Sequence, residues 1–490
     1  MLLRRGALLA LCILLLIPFG ARAASPELGL HLKPCTIGKA QASAECGTFG
    51  VYENRAKHAG KVIALNVVVL KAKHPSHEAI AMIAGGPGQG ATEFAEPIAD
   101  KLFLHDIAAL NDTYDIIFMD DRGMGSSNLL QCDFAPQSDP AAYFNQIIPE
   151  KQLVACRKRL GATNDLSQYN TNATVDDLDD LRAALGYQKI VLYGGSYGTF
   201  FSLVYARRHP QHVDSMVLEG VSAPGFQPLP GEPLGAEIAL EDLFMKCRRD
   251  AACNKTFPDF PEHFNALIQR LNKGPIPVRL ERKGRPTVTV ALSKEVFVDR
   301  LREVLYDPDG ASYIPYIVEQ AYRGNTAPLA HLMDFVTGGL DSDLAMGAWL
   351  SFTCADWIPF LNESVVRNAA AHSFAGDLRI RAQQHACSRW DVPAMPAAFN
   401  HPVVSDLPIL MIEGSDDPAT PEKYAQAALP YLHDAKLVIV KGAGHVTETA
   451  CTDKLVVQFV RAGSAKGVNA NRCRSAFTMP PFATSLKGLP

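Results

Sequence analysis

The chain has 490 residues, of which 48% are hydrophobic and 20% charged, and its formal net charge is −4. That length and apolar content allow a large core and a second domain, and they exclude an intrinsically disordered chain. The nearly balanced charge offers no basic field for nucleic acid or an anionic membrane, so neither is expected as a partner.

The first element is a targeting segment. Arg4 and Arg5 precede an apolar run from Ala7 to Ile17, and Ala21-Arg22-Ala23 is a small-x-small cleavage site. Residues 1–23 are therefore expected to be a cleavable signal peptide, with the product secreted or periplasmic. The run is too short to span a bilayer comfortably, so no stable membrane insertion is expected. Cys12 lies inside the apolar run and follows Leu11 where a lipidation site would have a small residue. Without Cys12, ten of the eleven cysteines remain. They form close sequential pairs: Cys35 with Cys46, Cys132 with Cys156, Cys247 with Cys253, Cys354 with Cys387, and Cys451 with Cys473. Sequence leaves the connectivity open; nearest-neighbour pairing is the simplest proposal. There is no C-x-x-C or H-E-x-x-H spacing, and no metal or cofactor is expected.

Strand-like and helix-like runs then alternate from about residue 48 to 224. Lys61 to Leu70 is apolar and β-branched. Ala79 to Ala84 ends in Gly85-Gly86-Pro87-Gly88, and Tyr114 to Met119 ends in Asp120-Asp121-Arg122-Gly123. Thr174 to Leu185 reads as an amphipathic helix with a capping-box-like start at Thr174 and Asp177 and a stop at Gly186. Lys189 to Tyr193 is a strand, Gly194-Gly195-Ser196-Tyr197-Gly198 follows, and Thr199 to Arg208 is a helix. Val213 to Leu218 closes the region. The alternation resumes from about 403 to 465, with strands Leu407 to Ile412 and Lys436 to Val440 and helices Pro421 to Ala428 and Thr452 to Arg461. Residues 225–402 between them open at a proline cluster, Pro224, Pro228, Pro230 and Pro233, and continue helix-like. The expected fold class is α/β: a mainly parallel sheet covered by helices on both faces, with an inserted, mostly helical cap. The expected divisions are 24–224 and 403–490 for the two parts of the core and 225–402 for the cap.

Strand, sharp turn and helix around Ser196 are the context of a nucleophile elbow, in which the glycines permit a strained turn and close backbone approach. A serine hydroxyl needs a base to take its proton, and the base needs a carboxylate to orient it. His445 stands in the Gly-flanked loop after the last strand, and Asp416 and Asp417 both follow an earlier one. Ser196, an Asp and His445 thus fall in the chain order of α/β-hydrolases. The backbone N–H groups of Tyr197 and of the Gly85–Gln89 loop, Gly86 above all, are the candidate oxyanion hole; Pro87 has none to give.

Together these motifs resemble secreted α/β-hydrolases of the proline iminopeptidase and tripeptidyl aminopeptidase group with a TAP-like C-terminal region. The resemblance rests on Gly85 to Gly88, Asp120 with Arg122 to Ser126, Asp176 to Gly186, Gly194 to Thr199, Leu218-Glu219-Gly220, Gly414 to Pro421, Gly442 to His445, and Cys451 with Cys473. The Gly-x-x-Asp-Pro-x-Thr-Pro pattern implies Asp417 as the triad acid. The resemblance further implies an exopeptidase acting on short peptides, whose cap acid binds the substrate amine. Where the family reads Cys-x-Glu-Asp, this chain has Cys354-Ala355-Asp356-Trp357, which makes Asp356 the candidate anchor. It departs from iminopeptidases in having Ala84 before the Gly-Gly-Pro-Gly run. An esterase with the same triad is the alternative, since one fold hosts many functions. A non-catalytic binding protein on this scaffold is the third reading. Oligomeric state is not legible, and the sequons at Asn111, Asn172, Asn254 and Asn362 matter only in a glycosylating host.

Overall fold

The computed structural model describes residues 26–136, 138–226 and 228–485; the expected signal peptide lies outside them. Eleven strands occur among these residues: β1 (Gly29–Ile37), β2 (Ala42–Tyr52), β3 (Val62–Leu70), β4 (Ala79–Ile83), β5 (Asp115–Met119), β6 (Ile190–Gly195), β7 (Val213–Glu219), β8 (Ile276–Leu280), β9 (Val288–Leu292), β10 (Ile409–Gly414) and β11 (Ala435–Val440). Nine form one sheet in the order β1-β2-β3-β5-β4-β6-β7-β10-β11. The six from β5 to β11 run parallel, and β3, β2 and β1 extend the sheet antiparallel at one side.

The inner strands are buried on both faces, which is why they read as nearly unbroken apolar runs. Their side chains alternate between two cores. Val69, Ala81, Ile117, Leu192, Leu218 and Met411 enter one, and their neighbours Val68, Ile80, Phe118, Val191, Val217 and Leu410 enter the other. Helices Thr171–Leu185 and Tyr197–Arg208 contribute Leu178 and Phe201 to the first core. Helices His105–Leu110 and Ala450–Ala462 contribute Ile107 and Phe459 to the second.

The helix expected from Thr174 begins three residues earlier. Asn170 is its N-cap, with a side-chain oxygen accepting from the N–H of Ala173 at 3.1 Å. Thr174 is inside the helix and donates to the Asn170 carbonyl at 3.2 Å, and Asp177 instead binds the buried Arg122 through two bonds of 2.7 and 2.9 Å. Gly186 ends the helix at φ +86°, as its position suggested. Between β7 and β10 the chain forms helices from Pro228 to Trp390 and the antiparallel ribbon β8–β9. Among the described residues no helix is long and apolar enough to cross a membrane. Five disulfides join Cys35–Cys46, Cys132–Cys156, Cys247–Cys253, Cys354–Cys387 and Cys451–Cys473, the nearest-neighbour pairing.

Candidate active site

Ser196 stands between β6 and the helix Tyr197–Arg208 with φ +55° and ψ −121°, a region that L-residues rarely occupy. Its neighbours explain how the turn is tolerated. A Cβ on Gly194 would overlap the Gly198 carbonyl, and one on Gly198 would lie 2.5 Å from the Ile83 carbonyl oxygen at the end of β4. The Ser196 N–H donates to Glu219 O at 2.8 Å, which ties the turn to β7. Tyr197 is the first helical residue, so its N–H has no partner within the helix. Gly86 follows β4 with φ +106°, and Ala345 from the insertion donates to Gly88 O at 2.9 Å, bracing the same loop.

His445 Nδ1 lies 2.7 Å from Asp417 Oδ2. Of the two candidate acids, Asp417 is therefore the one against the imidazole. Asp416 turns away to Lys246 at 2.6 Å. Asp417 is fully buried, and its other oxygen accepts from the N–H groups of Ala419 and Thr420 at 2.7 and 2.8 Å. Burial would raise its pKa, but the facing imidazole and these donated bonds outweigh burial and hold it below the usual carboxylate value. Thr420 Oγ1 donates to Asp417 Oδ2 at 2.8 Å and is 3.2 Å from His445 Nδ1. Glycine is required at 220, because a Cβ there would lie 2.9 Å from His445 Cε1.

Ser196, His445, Thr420, Gly86 and Tyr197 all line one cavity of about 450 Å³. Its walls are largely apolar, with Phe94, Phe103, Phe134, Ile147, Trp349 and Trp357 among them. Glu232, Glu303 and Asp343 bring carboxylates to it from the insertion, accompanied by Arg300 and Arg379. Glu219 lines it from the sheet. The Tyr193 hydroxyl lies 3.0 Å from Glu219 Oε1 and 2.9 Å from Asp106 Oδ2. One hydroxyl proton is shared between these two carboxyls. Both are buried, which pushes Glu219 up to about 8 and Asp106 up to about 7.

Asp356, the expected amine anchor, stands behind the residues that line the cavity. Its side chain is 2% exposed, and it is not among the residues lining the cavity. Its Oδ2 accepts from the Thr171 N–H and hydroxyl at 3.0 and 2.6 Å, and Thr171 in turn meets the Tyr197 hydroxyl at 2.9 Å. Burial pushes its pKa up to about 7, against those two bonds. An acid so placed supports the wall under Tyr197 through Thr171. Thr420 went unremarked in sequence, although it sits inside the Gly414–Pro421 motif. Lys246 and Tyr306 carry no local signal.

Among the described residues Asp179, His209 and His212 bring potential metal-ligating atoms together. Arg182 donates to Asp179 at 2.8 Å and contacts His212 Nδ1 at 3.1 Å, so a cation already occupies this cluster.

A family model described as alpha/beta hydrolase fold matches residues 79–275, and one described as TAP-like protein matches residues 372–473. The chain is similar to serine protease Hip1 of Mycobacterium tuberculosis, with 25% identity over 485 residues that cover 91% of each chain. It is similar to tripeptidyl aminopeptidase of Streptomyces lividans, with 31% identity over 195 residues covering 37% of this chain and 36% of that one. Among solved structures, proline iminopeptidase of Mycobacterium smegmatis aligns with 15% identity and a TM-score of 0.40, covering 85% of this chain and 98% of that one.

Proposed function

The chain is an α/β-hydrolase of the proline iminopeptidase and tripeptidyl aminopeptidase group, a hydrolase with peptidase activity, and from that premise we propose that it is an exported serine exopeptidase that cleaves short peptides near their free N-terminus. Ser196 Oγ attacks the scissile carbonyl. His445 takes the hydroxyl proton and passes it to the leaving amine, while Asp417 holds the imidazole in the required tautomer. The N–H groups of Tyr197 and Gly86 receive the developing oxyanion. Water then attacks the acyl-enzyme by the reverse proton path, with His445 again as base. The observation that carries this reading is the 2.7 Å contact of His445 with Asp417, on a cavity that also holds the strained Ser196.

Residues 225–402 act in this reading as a cap that limits access to chain ends. The carboxylate of Asp343 would meet the substrate ammonium, since Glu232 and Glu303 are already paired with arginines. Export rests on the targeting pattern of residues 1–23 and agrees with five disulfides.

A fluorophosphonate probe is expected to label the wild type and to leave Ser196→Ala unlabelled, with kcat of that variant down by on the order of 10⁴ or more. Peptide anilides with a free amine are expected to turn over well above their N-acetylated counterparts. Equal turnover of blocked peptides, or a preference for p-nitrophenyl esters, would replace the exopeptidase by an esterase. A peptide-library digest read by mass spectrometry reports the cleaved bond.

A further inference from the structure

The insertion touches both loops that carry the proton-transfer pair. Lys246, in the last turn of the helix Pro228–Arg249, places Nζ 2.6 Å from Asp416 Oδ2 and 2.9 Å from the Gly442 carbonyl oxygen. One ammonium therefore joins the loop of Asp417 to the loop of His445. Asp242, one turn earlier, holds that ammonium at 3.0 Å. The same helix crosses the acid loop so closely that a Cβ on Gly235 would lie 2.7 Å from the Asp417 carbonyl oxygen.

A second part of the insertion grips the base. The His445 N–H donates to Tyr306 O at 3.0 Å, and the phenol ring packs on the imidazole with centroids 4.8 Å apart. A Cβ on Gly444 would overlap that same Tyr306 oxygen. The Tyr306 hydroxyl meets Arg302, which belongs to a balanced set of charges with Arg300, Arg379, Asp299, Glu232 and Glu303. Glu232, Glu303, Tyr306 and Arg379 all line the cavity.

We propose that Lys246 and Tyr306 are positioning residues for proton transfer, through which the insertion holds the Asp417–His445 pair in line with Ser196. This rests on the triad reading above. The role differs from that of a lid. Removing it slows the chemical step even for a small substrate that enters freely, because the tolerance on a proton-transfer geometry is a few tenths of an ångström.

The experiment uses the full-length exported protein with a small free-amine anilide, and rates are normalised to folded protein. Lys246→Met is expected to lower kcat 10-fold or more with KM within about twofold, and to slow fluorophosphonate labelling by the same factor. Lys246→Arg, which keeps the charge, is expected to recover kcat to within about threefold of wild type. Tyr306→Ala, which removes the ring but not the backbone carbonyl, is an independent second variant with the same expected signature, and Tyr306→Phe, which keeps the ring, is expected to recover most of its loss. Wild-type kcat in folded Lys246→Met and Tyr306→Ala overturns the proposal. So does a loss confined to KM, which would make both residues walls of the cavity. If the wild type itself resists the probe, or Ser196→Ala retains turnover, the triad reading falls instead, so the two failures are distinguishable.

Discussion

Thr420 separates orientation from charge at His445. Its hydroxyl donates to the Asp417 oxygen that also faces His445, so Thr420→Val keeps shape and volume but removes one of the donors on that carboxylate. The expected result is a fall in kcat of about 10-fold with KM nearly unchanged, measured on a peptide anilide. Asp356 supplies a different residue-level prediction. Its folded form keeps a proton to about pH 7, whereas an unfolded aspartate releases it near pH 4. Between those values the unfolded chain binds fewer protons than the folded one, so stability contributed at this site falls as pH rises and is fully lost above about pH 7. Asp356→Asn removes that slope. Its Tm relative to wild type is expected to climb between pH 5 and 8, by an amount corresponding to roughly 2–3 kcal/mol. Ser196, Asp417 and His445 were legible as candidates because each follows a strand inside a glycine-flanked motif. For Asp356, sequence shows the acid but not the wall of Thr171 and Tyr197 it stands behind. Lys246 and Tyr306 were invisible because their partners lie 170 and 139 positions away along the chain.

The elbow is an element defined by what it lacks. Gly198 faces the end of β4 with no room for a methyl group, so Gly198→Ala must push the helix Tyr197–Arg208 away from the sheet. Activity is expected to drop at least 100-fold while far-UV circular dichroism stays close to wild type. The helix Thr171–Leu185 shows where local reading stops. Thr174 and Asp177 have the spacing of a cap, but Asn170 wins that position because Asp177 is drawn to Arg122, a partner 55 residues upstream. Asn170→Ala is expected to cost about 1 kcal/mol in a denaturant titration. The inner strands were readable from burial on both faces. β1 and β2 were not singled out, because half-exposed strands at a sheet side lack that continuous apolar signature.

At the scale of the molecule, the two cores are separated by one sheet and joined by none of its side chains, since successive residues go to opposite faces. The insertion between β7 and β10 extends the first core, and Cys354–Cys387 clamps two of its helices, Met346–Asp356 and Leu378–Trp390. Replacing both cysteines by alanine is expected to cost roughly 2–4 kcal/mol, read as a lower denaturation midpoint. The outermost ladder carries its own safeguard. β1 lies at the margin of the nine-stranded sheet, contains Lys33 and Pro34, and is bonded covalently to β2 through Cys35 and Cys46. Peeling away such a strand would bare the backbone of β2 as a template for a neighbouring chain. The crosslink forbids that exchange, so β1 protects against strand swapping for as long as its surroundings remain oxidising.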